Sequence, residues 1–180
     1  MKKGAYQNGF YVPPKSVEAI RSAAERLRPI LVPDGAPDLE NFVQSLEEQF
    51  GISYDVVEDH LLPPGVEALC LPERPEIVFS ATAYDGVIRN DGRARFTVFH
   101  ELGHLLLLHS RTFHRGLTGQ PELFENSEWQ ADQFAAEMLM PLSVIRSRNL
   151  SEAGELQREF KVSYSAASKR LKQLKRRGEI

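Results

Sequence analysis

The chain has 180 residues, 42% of them hydrophobic and 26% charged, the proportions of a soluble globular protein, which exclude disordered, collagenous and membrane-spanning classes. A chain of this length buries about 70% of the surface its unfolded form exposes, so a core forms without disulfide or metal staples, and any metal serves chemistry. The net charge of −3 is uneven: residues 161–180 hold seven basic residues against Glu179 alone, a net +6, leaving −9 on residues 1–160, an acidic body that attracts cations and basic partners.

In chain order, the stretch after Met1 contains no apolar h-region, and Cys70 is the only cysteine, so a reduced, cytoplasmic compartment is expected. Tyr11 to Ser16 reads as an extended, proline-stiffened lead. Ser16 then caps a helix with Val17, Ile20, Ala24 and Leu27 on one face, ended by Pro29 and Pro33. After a loop over Pro33 to Pro37, Asp38 caps a second helix that buries Leu39, Phe42, Val43, Leu46 and Phe50 and closes at Gly51. Short β-like runs follow at Ile52 to Val57, Val66 to Leu71 and Glu76 to Ser80, a small antiparallel or mixed sheet, with a turn expected at Tyr84-Asp85-Gly86. Arg95 to His109 is apolar almost all round the helical wheel, which predicts a central helix.

A polar loop spans Ser110 to Glu125. Ser127-Glu128-Trp129-Gln130 has capping-box spacing and opens a helix running to Pro141. Ser143 begins a short helix, Ser151 to Phe160 form another, and Ser163 to Arg176 a basic amphipathic last one. The expectation is an α+β, zincin-like fold: a small twisted sheet packed on the central helix, with further helices around it. Residues 1–180 read as a single domain, with N-terminal helices over 1–51, sheet and central helix over 52–109, and a helical part over 126–180.

The central helix carries His100-Glu101-Leu102-Gly103-His104, an H-E-x-x-H. Imidazoles at i and i+4 lie on one helix face, about 5–6 Å apart at Cβ, the separation two ligands of one tetrahedral ion need. Glu101, one residue round, misses the metal and can take a proton from water attacking a carbonyl, then return it to the leaving amine. Three adjacent ionisable groups on an apolar helix are costly to bury unless paired or metal-bound. A catalytic zinc takes three protein ligands. A third histidine of an H-E-x-x-H-x-x-G-x-x-H pattern is absent, since Leu107 and Ser110 stand at those places. Glu128 on the following helix is the best candidate, with Asp132 one turn on positioned to accept the second N–H of a ligand histidine. His109, His114, Glu122, Glu125 and Glu137 are rivals. For an oxyanion donor, Tyr84, His109 and His114 are candidates.

Arg95 to His104, followed by Glu128 to Pro141, resembles the ImmA/IrrE metallopeptidases, with weaker similarity through Glu76 to Ser80 and Phe160 to Leu171. The resemblance implies a gluzincin-like site in which His100, His104 and Glu128 bind Zn²⁺, with Mn²⁺ as the alternative, and Glu101 is the general base. It also implies an intracellular endopeptidase that cleaves a helix-turn-helix repressor and so induces stress-response or mobile-element genes. An acidic body suits such a basic partner, and Ile77-Val78-Phe79-Ser80, as an edge strand, would pair with an extended substrate. Two other readings stand beside this one: a non-catalytic, metal-containing regulator or antitoxin-like partner, and a DNA-binding module using Lys169, Arg170 and Lys172 of the last helix. Direct nucleic-acid binding is the weaker expectation, and no membrane partner is indicated.

Overall fold

The structure is a computed structural model that describes residues 9–33, 35–71, 73–109 and 121–180. Along these residues run α1 (Val17–Leu31), α2 (Leu39–Phe50), β1 (Ser53–Val57), β2 (Ala68–Leu71), β3 (Glu76–Ser80), α3 (Ala81–Ile88), α4 (Gly92–Leu106), α5 (Ser127–Leu139), α6 (Leu142–Ser147), α7 (Ala153–Phe160) and α8 (Tyr164–Arg176). This is the α+β class. Among the described residues no helix is long and apolar enough to cross a membrane.

Local chemistry sets most boundaries. Ser16, Asp38 and Ser163 each accept a backbone N–H at the start of α1, α2 and α8, and Gly51 closes α2 in the left-handed conformation. Pro29 does not end α1. It sits in the last turn, where the missing N–H forfeits one bond, and burial of Leu31 and Val32 holds the chain helical. Of the loops read from proline spacing, Asp34, Pro72 and residues 110–120 lie outside the described residues, while Leu123–Glu125 forms a short 3-10 turn.

The sheet is mixed, in the order β1-β3-β2, with β1 parallel and β2 antiparallel to β3. This corrects the reading of Ile77, Val78, Phe79 and Ser80 as an edge strand. They form the central strand, flanked on both sides, because Ile77 and Phe79 are fully buried and such a strand belongs in the middle. Its backbone is engaged with β1 and β2, so it cannot pair with a substrate. Tyr84-Asp85-Gly86 is not a turn either. Ser80 caps α3 by accepting from Ala83 N–H, and Gly86 persists inside the helix because a Cβ there would lie 3.0 Å from the Ala94 Cβ of α4.

The central helix α4 buries Ala94, Arg95, Val98, Phe99, Leu102 and Leu105, as an all-round apolar sequence requires. It begins earlier than its apolar run, at the Asp91 cap, and stops at Leu106 rather than His109. Leu108 takes a left-handed φ of 58°, its N–H bonds to Leu105 O at 3.1 Å, and His109 N–H bonds back to His104 O at 3.0 Å. That pair of bonds is a Schellman cap, here built on leucine rather than glycine. The short α6 starts at Leu142 after Pro141, with no side-chain cap from Ser143. Helix α7 begins at Ala153, where Glu152 and Glu155 form a reciprocal capping box.

Candidate metal centre

Helices α4 and α5 cross at Gly103, where an added Cβ would stand 3.1 Å from the Ala131 Cα and 3.2 Å from the Phe134 ring. The missing side chain lets the two backbones close up, and this brings one turn of α5 over one turn of α4. Glu128 then lies against both histidines: its Oε2 is 3.3 Å from His100 Nε2 and its Oε1 3.4 Å from His104 Nε2. The two Nε2 atoms are 3.1 Å apart. Among the described residues, His100, His104 and Glu128 are the group of His, Cys, Asp and Glu side chains whose donor atoms converge in this way.

The residues fit a divalent cation. Bond lengths of about 2.0–2.2 Å around a tetrahedral ion set its ligand atoms about 3.3–3.6 Å apart, and the three observed separations are close to one face of such a tetrahedron. Two imidazole nitrogens facing each other with a carboxylate beside them also make a donor set typical of zinc.

The charges agree with the geometry. Burial disfavours the His100 cation, but hydrogen bonds to Asp132 and Glu128 prevail and raise its pKa to about 10. Burial likewise opposes ionisation of Glu128, and the two histidines overcome it, holding the carboxyl well below the usual carboxylate range. Glu101, 7% exposed, moves the other way: burial pushes its carboxyl up, against the pull of His100 and His104 and with a push from Glu128. The Cys70 backbone of β2 favours the Glu101 carboxylate, so β2 borders the site.

Asp132 Oδ1 stands 3.0 Å from His100 Nδ1. Its Oδ2 accepts from Lys169 Nζ of α8 at 2.6 Å, a connection across 37 residues that no local pattern announces. The other candidates for third ligand stand elsewhere. Glu137 is buried in hydrogen bonds with Arg21, Gln133 and Arg170; Glu122 and Glu125 are not in the cluster; His114 lies outside the described residues. His109 touches the centre from behind, with Nδ1 3.0 Å from His104 Nδ1 and Nε2 3.0 Å from Gln130 Oε1. Burial pulls its pKa down to about 3. Both its nitrogens are engaged, which removes it as an oxyanion donor. Tyr84 stacks on Tyr54 and donates to that residue's hydroxyl.

Sequence reasoning missed Gln130, having assigned it to a cap led by Ser127. The cap is Asn126, whose side chain accepts from Trp129 N–H, while Ser127 Oγ accepts from Phe10 N–H. A Gln three residues after Ser carries no signal that distinguishes a capping role from a distant one.

Residues 89–172 match the Peptidase M78 family model, described as an IrrE N-terminal-like domain. Among solved structures, the fold is similar to a Mycobacterium tuberculosis transcriptional regulator, with a TM-score of 0.51 and 18% identity over 84% of this chain and 46% of that one. The chain thus spans less than half the length of that protein, and the likeness is one of fold. No curated protein matches the sequence significantly.

Proposed function

From the match of residues 89–172 to the IrrE N-terminal-like family model, we propose that the chain is an ImmA/IrrE-type, zinc-dependent endopeptidase of the cytoplasm that cleaves a helix-turn-helix transcriptional repressor. The convergence of His100 Nε2, His104 Nε2 and the Glu128 carboxylate beside a buried Glu101 carries the reading. These three residues would hold Zn²⁺, or Mn²⁺ where that ion is more available. A divalent cation there supplies Lewis acidity to water and to the scissile carbonyl.

Glu101 is the general base. Burial raises its affinity for a proton, and a carboxyl at this place accepts a proton from the attacking water and returns it to the leaving amine. Asp132 accepts from His100 Nδ1 and keeps that ring's Nε2 turned toward Glu128. Strand β2, paired in the sheet only with β3 among the described residues, leaves its outer edge beside Glu101. An extended substrate segment adds there by backbone hydrogen bonds, which favours cleavage in a loop or melted stretch over a packed helix.

The repressor as substrate is supported by charge: the −9 on residues 1–160 draws in a basic DNA-binding protein. Nucleic acid is less well matched. Arg170 is 0% exposed and tied to Glu137, and Lys169 is tied to Asp132, so two of the three basic residues expected to meet DNA are turned to internal partners. The test is incubation of the Zn²⁺-loaded protein with the helix-turn-helix protein encoded nearest its gene, with Glu101→Gln alongside. We expect a discrete cut from the wild type and a rate lower by about 10²–10⁴ in the variant. Equal cutting by both removes Glu101 from the mechanism, and a function that survives Glu101→Gln without cleavage makes the protein a binding regulator.

A further inference from the structure

His109 and Gln130 do none of the chemistry above, yet they are 1% and 0% exposed and lie directly behind a candidate ligand. The orientation of Gln130 is forced. Its Nε2 lies 2.9 Å from the Pro13 carbonyl and 2.7 Å from the Phe124 carbonyl, and only the nitrogen end of an amide donates. Its Oε1 must therefore be the atom facing His109 Nε2, and that ring nitrogen must bring the proton. A neutral imidazole carries one N–H, so His109 Nδ1 is a lone pair. It meets His104 Nδ1 at 3.0 Å. Two lone pairs at that distance repel, and the contact becomes a hydrogen bond only if His104 carries its proton on Nδ1. His104 Nε2 is then a lone pair directed at His100 and Glu128.

The backbone adds an independent observation. Leucine is a poor residue for a left-handed φ, because its Cβ crowds the following carbonyl oxygen, yet Leu108 adopts it and leaves its side chain 79% exposed. The Schellman cap so formed folds His109 back over His104. Strain of this kind persists where the surrounding structure uses the position.

We propose that His109 and Gln130 are positioning residues that hold His104 in its Nδ1–H tautomer and so keep its Nε2 available to a cation, an inference that rests on the metal-site reading. The two ligand histidines are thus oriented differently: His100 by a carboxylate, His104 by a neutral imidazole whose own tautomer is set by an amide clamped between the N-terminal lead and the 3-10 turn before α5.

The test combines Zn²⁺ affinity, by competition with a chromophoric chelator, with ¹⁵N NMR of the histidine rings. In the Zn²⁺-loaded wild type, an N–H···N hydrogen bond gives a ¹⁵N–¹⁵N coupling between the His104 and His109 rings. His109→Phe abolishes it and weakens Zn²⁺ binding by about 10–100-fold. Gln130→Met, which keeps the volume and leaves His109 in place, leaves its tautomer unset and weakens binding in the same direction. Wild-type affinity in both folded variants, or no coupling in the wild type, overturns the tautomer proposal and leaves the metal site intact. A wild type that takes up no cation overturns both.

Discussion

Asp132 divides its carboxylate between two partners, with Oδ1 on His100 and Oδ2 on Lys169, and this arrangement makes the metal-free protein sensitive to pH. The folded His100 pKa, about 10, lies above its ordinary value of 6.5. A group raised in this way adds stability that is fully present below the unfolded pKa and lost as pH rises through the folded one. Asp132 is depressed by His100 and Lys169 against the opposing effect of burial, and Glu128 is depressed as well. Their contribution is present above the ordinary carboxylate range and lost as pH falls through their folded values. In chelator, therefore, the unfolding temperature declines from pH 6.5 toward 10, and Asp132→Asn flattens that decline. Calorimetry across this range checks it; a wild-type profile that rises over the interval would contradict the pairing of His100 with Asp132 and Glu128.

Helices α4 and α5 owe the site to a close crossing, and the crossing depends on a residue inside the H-E-x-x-H itself. A side chain at Gly103 meets the Ala131 backbone and the Phe134 ring at 3.1–3.2 Å. Gly103→Val pushes α5 away and carries Glu128 with it, so we expect Zn²⁺ affinity to fall by at least tenfold while His100 and His104 remain one turn apart on α4. Chelator competition measures this, with far-UV circular dichroism confirming the helices. At the other end of α4, Gly92 makes room for the turn between α7 and α8, where a Cβ would overlap the backbone of Val162 and Ser163. The same contacts explain two misreadings. Tyr84-Asp85-Gly86 has the composition of a turn, but Gly86 serves packing against Ala94. Glu76 to Ser80 resembles any short apolar run until its flanking strands place it in the middle of the sheet.

Across the whole molecule, the helices on the far side of α5 from the metal centre are tied by a buried charge network. Glu137 receives hydrogen bonds from Arg170 of α8 at 2.5 and 2.9 Å, from Arg21 of α1 at 3.2 Å and from Gln133 at 2.8 Å. Removing one partner of a buried pair costs about 3–5 kcal/mol, whereas replacing both with apolar groups is often neutral. Arg170→Met is expected to lose close to 3 kcal/mol, the low end because Arg21 and Gln133 remain, and Arg170→Met with Glu137→Met to recover most of it, as read from denaturant unfolding. The basic tail that reads as a charged surface in sequence is therefore partly a structural clamp.

Relations between neighbours along the chain were legible before folding: the helix caps at Ser16, Asp38 and Ser163, the apolar wheel that makes α4 central, and the placement of His100 and His104 one turn apart with Glu101 beside them. Helical periodicity fixes those relations whatever surrounds them. Tertiary structure alone decided which carboxylate completes the triangle, that Glu137 is spent on Arg170, that β2 and not β3 offers an edge, and that Gln130 and His109 stand behind His104. Each of these joins residues far apart in sequence through side-chain directions and backbone approach. Those are settled only when the core packs, because the same Glu, Gln or His is equally compatible with a solvated surface until a partner is brought within hydrogen-bonding distance.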